Sequence, residues 1–222
     1  MIAAGGSTPL PYTEVDYIET DGTAYIDTGI AGNTPKSAEL NIVPVIPASG
    51  NGYIMGCRKD SGDTRLVFLL VRYTGFAGYA YMGNIFNNGS VDSINCSDSA
   101  NNKTMMTVRC SFTSGSQYFG IKQSGESSYT TRHTTVSGTL TENTRNIIVF
   151  GMLGGSGSVS TATAGTRIQH IKIWDNAEYL GNLVFDGVAC QYNGEYGLWD
   201  KVTDTFFGNA AGGGAFSGPS NS

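Results

Sequence analysis

The chain is short of charge, proline, tryptophan and paired cysteine, and these shortages exclude several classes of protein. Only 14% of its 222 residues are charged, the formal net charge is −5, and no run of Lys or Arg occurs. Nucleic acid and anionic membrane are therefore not expected as partners, because both are recognised through dense positive charge. The longest uninterrupted apolar run, residues 66–71, is far below the roughly 20 residues that a membrane-spanning helix needs. Residues 1–6, MIAAGG, lack the charged start and apolar stretch of a secretory signal. A Met start without a signal fits a product assembled in the cytoplasm. The four cysteines (Cys57, Cys96, Cys110 and Cys190) form no C-x-x-C pair, and His133 and His170 do not cluster with them. This spacing predicts four free thiols, a reducing compartment, no metal and no cofactor. No amphipathic helix of any length and no internal repeat is visible.

What is abundant is glycine, at 31 residues, together with Ser, Thr and Asn. That composition marks short strands and many turns, and 222 residues suit one all-β domain. A chain of this length can bury roughly 70% of its unfolded-state surface.

The strongest local pattern lies at residues 166–185, TRIQHIKIWDNAEYLGNLVF. Ile171 and Ile173 share a face under the period-two rule and Ile168 does not. One extra residue at Gln169–His170, a bulge, would bring all three isoleucines to one face. Residues 179–185 are expected as the returning strand, after a turn at 175–178. So apolar a face needs a second sheet over it, which predicts a β-sandwich.

Other strands follow from alternation or apolar runs. Ala38, Leu40 and Ile42 alternate with Glu39 and Asn41. Pro44 and Pro47 confine the next residues to an edge or an irregular stretch. Residues 53–57 and 65–72 read as a hairpin whose second strand, apolar on both faces, is central or partner-bound. Residues 105–112 and 117–123 read as another hairpin, with Met106, Val108, Cys110 and Phe112 inward. NIIVFGM at 146–152 is expected as one buried strand, and 154–165 as a flexible surface loop.

Three stretches carry a family resemblance. YIETDGTAYIDTG at 17–29 is similar to the Y-I-E-x-x-G-T-x-Y-I-D-T-G opening of a laminin-G-like, concanavalin A-like lectin-fold family. YGLWDKVTDTFFGN at 196–209 is similar to its G-L-[YW]-D-x-V-x-x-x-F-[YF]-x-N closing, and the Ile168 stretch resembles its last core strand. The family occurs in bacteriophage virion proteins and in surface or prophage-encoded proteins of gut bacteria. The resemblance implies a concanavalin A-like jelly-roll sandwich of two antiparallel sheets over residues 13–209. Residues 1–12 are then an extended N-terminal arm and 210–222 a flexible C-terminal tail.

Catalysis has one sequence candidate. Glu14, Asp16 and Glu19 match E-x-D-x-x-E, the retaining glycoside hydrolase pattern of β-glucanase jelly rolls. That chemistry needs two carboxylates about 5–5.5 Å apart across a glycosidic bond. Glu14 and Glu19 lie on opposite sides of a flat strand, the strand is terminal, and the chain has only two tryptophans. No G-x-S-x-G elbow and no phosphate-binding loop is present, and no enzyme is expected. Asp60 and Asp63, or Asp92 and Asp98, could contribute to a rim Ca²⁺ site but read more simply as turn residues. His170 is expected as a surface or edge residue. The candidate ligand surface, for glycan or protein partner, is the aromatic and glycine-rich stretch of Tyr73, Phe76, Tyr79 and Tyr81 with Asn84, Asn87 and Asn88.

Taken together, the expectation is a non-catalytic structural protein of a bacteriophage virion, assembled in the host cytoplasm. A capsid decoration or auxiliary protein fits first, docking on other virion proteins through its arms and one apolar edge. The alternative is a carbohydrate-binding adhesion module of a phage fibre or bacterial surface protein, with host surface glycan as ligand.

Overall fold

A computed structural model describes residues 10–32, 36–48, 50–58, 65–72, 80–86, 90–95, 104–113, 116–135, 143–154, 156–176, 179 and 181–219. In chain order the strands are β1 (Thr13–Glu14), β2 (Ile18–Thr20), β3 (Ile26–Ala31), β4 (Lys36–Val43), β5 (Asn51–Arg58), β6 (Arg65–Arg72), β7 (Ala80–Phe86), β8 (Ser90–Asn95) and β9 (Met106–Thr113). There follow β10 (Ser116–Gln123), β11 (Thr130–Thr135), β12 (Asn146–Val149), β13 (Gly151–Leu153), β14 (Val159–Thr161), β15 (Arg167–Trp174), β16 (Leu183–Tyr192), β17 (Glu195–Asp200), β18 (Thr205–Phe207) and β19 (Phe216–Ser217). No helix occurs among the described residues.

One sheet runs β11-β10-β9-β4-β15-β16-β17-β18, with β1 beside β16, β2 beside β15 and β19 beside β2. The other runs β14-β13-β5-β6-β7-β8, with β12 bridging β5 and β3. All pairings are antiparallel except the single β13–β5 bridge at Leu153 and Cys57. This is the expected jelly-roll sandwich.

The core follows the residue alternation. Phe119, Cys110, Ala38, Ile173 and Phe185 are register partners in one row across five strands. Ile121, Val108, Leu40 and Ile171 form the next row, and all of these side chains are buried. The other sheet closes over them with Ile26, Ile54, Ile147, Val149 and Phe150. Each fully buried aliphatic or aromatic side chain contributes about 1.5–3 kcal/mol.

The bulge in β15 lies where the sequence places it. Ile168 pairs with Ile42 and His170 with Asn41, so Gln169 is the extra residue. Ile168, Ile171 and Ile173 are consequently all fully buried, whereas a regular strand would have turned Ile168 outward. The two expected hairpins, β5–β6 and β9–β10, are present, and β4 ends at Val43, before Pro44.

Several expectations need correction. The strand returning from β15 starts at Leu183, and Tyr179 belongs to the connection. Residues 14–19 form no single strand, because β1 pairs with β16 whereas β2 pairs with β15. NIIVFGM is broken at Phe150, which adopts φ 61°, a conformation costing a non-glycine residue about 1–2 kcal/mol. It is held there because its N–H donates to the Ile54 carbonyl at 2.8 Å and its carbonyl accepts from the Ala162 N–H at 2.9 Å. The stretch expected as a surface loop contains β14, paired with β13. The segment expected as a flexible tail supplies β19, with Phe216 buried against Phe150 at a ring separation of 5.1 Å. Of the stretch expected as an extended arm, residues 10–12 are described, and Tyr12 is buried.

Candidate functional site

The register of the larger sheet fixes what its outer face carries. Thr107, Asn41, His170, Val188, Trp199 and Phe206 form one row across β9, β4, β15, β16, β17 and β18. The row is polar at Asn41 and His170 and apolar from Val188 onward. The Gln169 bulge reverses the residue phase within β15, which is why His170 shares this outer row with Asn41. His170 sits in a central strand rather than at an edge. Its Nε2 lies 2.5 Å from the Asp186 Oδ1.

The apolar end of the row holds Tyr12, the residue before β1. Tyr12 stacks on Trp199 with ring centroids 4.6 Å apart and planes at 22°. Tyr192 packs against both Trp199 and Phe206. The Trp199 Nε1–H donates to Asp204 at 3.1 Å. One residue beyond Trp199, the buried Asp200 carboxylate accepts from the N–H groups of Asp186, Val202 and Thr203 and from the Thr203 hydroxyl. This bonding sets the turn that follows and aims Lys201. Lys201 donates to Glu14 Oε1 at 3.0 Å. Burial opposes the Lys201 charge, but the hydrogen bond and the negative charge of Glu14 outweigh it and raise the pKa above the ordinary lysine value.

Where the chain steps from β1 to β2, a polar groove of about 390 Å³ opens. Glu14, Asp16, Asn41, Gln169, His170 and Lys201 supply its polar wall, and Val15, Val188 and Ala189 its apolar floor. A second hollow of about 210 Å³, lined by Leu10, Tyr12, Trp199 and Asp204, shares Glu14 and Lys201 with the first. The ion pair is thus a common wall between a polar and an aromatic hollow.

A second aromatic cluster on this face is already occupied from within. The Arg109 guanidinium lies over the rings of Tyr129 and Tyr179 and is held by Glu39 at 2.6 Å.

The residues singled out by sequence fare differently. Glu14 and Glu19 are held by different partners on different strands, Glu14 by Lys201 and Glu19 by Arg167 at 2.6 Å. Asp16 lines the groove with Glu14, and Glu19 does not. Of the candidate aromatic surface, Tyr73, Phe76, Tyr79, Asn87 and Asn88 lie outside the described residues. Tyr81 and Asn84 have described backbone positions on β7, opposite Val71 and Phe68 of β6. Asp60, Asp63 and Asp98 also lie outside the described residues. No cluster of metal-ligating side chains occurs among the described ones. Cys57, Cys110 and Cys190 are buried and form no disulfide, and Cys96 lies outside the described residues. The groove was missed because Glu14, Asn41, His170 and Lys201 come from four separate segments. Its one sequence-level signal was the bulge.

No protein-family model matches this chain, and no curated protein sequence matches it. Among solved structures, a native heptameric SAP-like pentraxin from Limulus polyphemus is similar over 79% of this chain and 81% of its own, with TM-score 0.54 and 14% identity. The full-length tailspike protein 2 of Escherichia coli O157:H7 bacteriophage CAB120 is similar over 78% of this chain, with TM-score 0.52 and 14% identity. Here the match spans only 25% of the tailspike. Domains LG4-5 of the mouse laminin α1 chain are similar over 77% of this chain and 45% of theirs, with TM-score 0.50 and 12% identity. At these identities the likeness is one of fold.

Proposed function

We propose that the chain is a non-catalytic structural module of a bacteriophage virion, acting as a capsid decoration or auxiliary protein. The observation that carries the reading is that the two stretches resembling the phage lectin-like family meet in space. The Asn209 Oδ1 accepts from the Tyr25 N–H at 3.3 Å, and the Ala210 N–H donates to the Tyr25 carbonyl at 2.9 Å. The opening and closing motifs therefore form one clasp, a physical reason for them to occur together. The acidic pattern at residues 14–19 supports the absence of catalysis, since its two glutamates are tied to separate cations on separate strands. Docking on coat subunits would use the outer sheet face and the two terminal segments.

The test is co-sedimentation of the purified protein with phage capsids that lack it, together with mass spectrometry of intact particles. Stoichiometric recovery with the particle is expected, and absence from the particle fraction would overturn the reading. A polysaccharide hydrolysis panel should be blank. Hydrolysis that disappears in Glu14→Gln would reinstate the glycosidase.

One observation favours a second reading, a glycan-binding module on a phage fibre or bacterial surface protein. It is the pairing of a polar groove with an aromatic hollow on the outer face, the combination that sugar recognition uses.

A further inference from the structure

We propose that the two hollows flanking the Glu14–Lys201 ion pair form one binding site for a neutral oligosaccharide. This rests on the second reading above and gives it a location and a ligand class. The site is distinct from the Tyr73–Asn88 stretch indicated by sequence.

Three features carry the inference. The first is unspent hydrogen-bonding capacity. The side chains of Asp16, Asn41 and Gln169 line the groove and make no hydrogen bond or ion pair with any described residue. A carboxylate and two amides offer acceptors and donors side by side, with the His170 ring beside them. Sugar hydroxyls, each a donor and an acceptor, match that mixture.

The second is shape and apolar content. The groove has an aliphatic floor of Val15 and Val188, and the adjoining hollow has a wall of Leu10, Tyr12 and Trp199. Leu10, 60% exposed, adds an accessible apolar side chain to that wall. One sugar unit would lie over the apolar wall and the next would present its hydroxyls to the groove, with the ion pair beneath the linkage.

The third is charge. Glu14, Asp16 and Asp204 line the two hollows against one fixed cation, Lys201. Sialylated, uronate-bearing or phosphorylated glycans would meet uncompensated carboxylates, so the site discriminates against them.

The experiment is binding of neutral di- and trisaccharides of hexose and N-acetylhexosamine, measured by calorimetry. The same sugars carrying sialic or uronic acid serve as the comparison. The wild-type protein should bind a subset of the neutral sugars and none of the acidic ones. Asp16→Ala and Asn41→Ala, both at solvent-accessible side chains, should each weaken binding about tenfold, the effect of losing one hydrogen bond to a charged or amide group. Failure of every neutral sugar to bind would overturn the proposal and the glycan reading together. A preference for acidic sugars would overturn the ligand class. Binding that survives in the Asp16→Ala/Asn41→Ala/Gln169→Ala variant but disappears in Tyr79→Ala/Tyr81→Ala would overturn the location and leave the glycan reading standing.

Discussion

The Asp21 carboxylate accepts a hydrogen bond from the backbone N–H of Ala215 at 2.8 Å, across 194 positions of sequence. The other carboxylate oxygen accepts from the N–H groups of Thr23 and Ala24 and from the Thr23 hydroxyl. Asn209 completes the clasp by donating to the carbonyls of Gly213 and Gly214. The approach is close enough that a Cβ on Gly214 would stand 2.0 Å from the Thr23 hydroxyl oxygen, and φ there is +80°. Glycine is thus required on both counts. The clasp holds β19 onto β2 and joins the turn after β2 to the segment before β19.

The clasp makes stability depend on acid. Backbone hydrogen bonds from Ala24 and Thr23 lower the Asp21 pKa from 3.8 to about 2. A carboxylate with a depressed folded-state pKa stabilises the protein fully above its unfolded value, and that contribution is lost as pH falls from about 4 towards 2. Asp21→Ala should lower Tm at pH 7 by about 2–4 °C, the effect of roughly 1 kcal/mol in a domain of this size. It should also flatten the loss of Tm between pH 4 and 2. Thermal melts of both proteins across that range check the sign. An unchanged acid slope in the variant would show that Asp21 does not carry it.

Phe216 tests whether the C-terminal segment is part of the core. Its ring is 7% exposed and packs on Phe150, so Phe216→Ala should cost about 3 kcal/mol. Urea denaturation reads this as a lower midpoint with little change in slope. A wild-type midpoint would mean that the segment contributes nothing to the fold.

Gln169 gives a contrast between side chain and backbone. Its side chain is exposed, so Gln169→Ala should change stability by less than about 0.5 kcal/mol. Deleting the residue removes the bulge and turns either Ile168 or the pair Ile171 and Ile173 to solvent. The deletion should yield insoluble or unfolded protein, read by circular dichroism and solubility.

The thiols should be silent in the native state. Burial raises the Cys110 and Cys190 pKa values to about 12, so at pH 8 almost no thiolate is present and access is closed as well. Titration with a chromogenic disulfide should show Cys57, Cys110 and Cys190 reacting only after denaturant is added. Rapid reaction of more than one thiol in native protein would contradict the burial of these three.

Much of the fold was legible from local pattern. Ile168, Ile171 and Ile173 break the period of two in a way that only an inserted residue repairs, so their spacing alone locates the bulge. The β4 and β9 alternations and the two hairpins were readable for the same reason. The break at Phe150 was not, because nothing in NIIVFGM marks a left-handed residue. The conformation is imposed by the Ile54 carbonyl and the Ala162 N–H, which are distant in sequence. The C-terminal residues 210–222 resembled a flexible tail because glycine and alanine carry no pattern, and their anchor, Asp21, lies at the other end of the chain.

The sequence by itself determined an all-β chain with one strongly apolar sheet face, because side-chain alternation is a property of the extended backbone and survives in the linear order. Only the tertiary structure decided which ends would clasp and which side chains would share a groove. Glu14, Asn41, His170 and Lys201 meet through strand pairing between remote segments, and that choice depends on which apolar faces bury one another, which no local window of residues records.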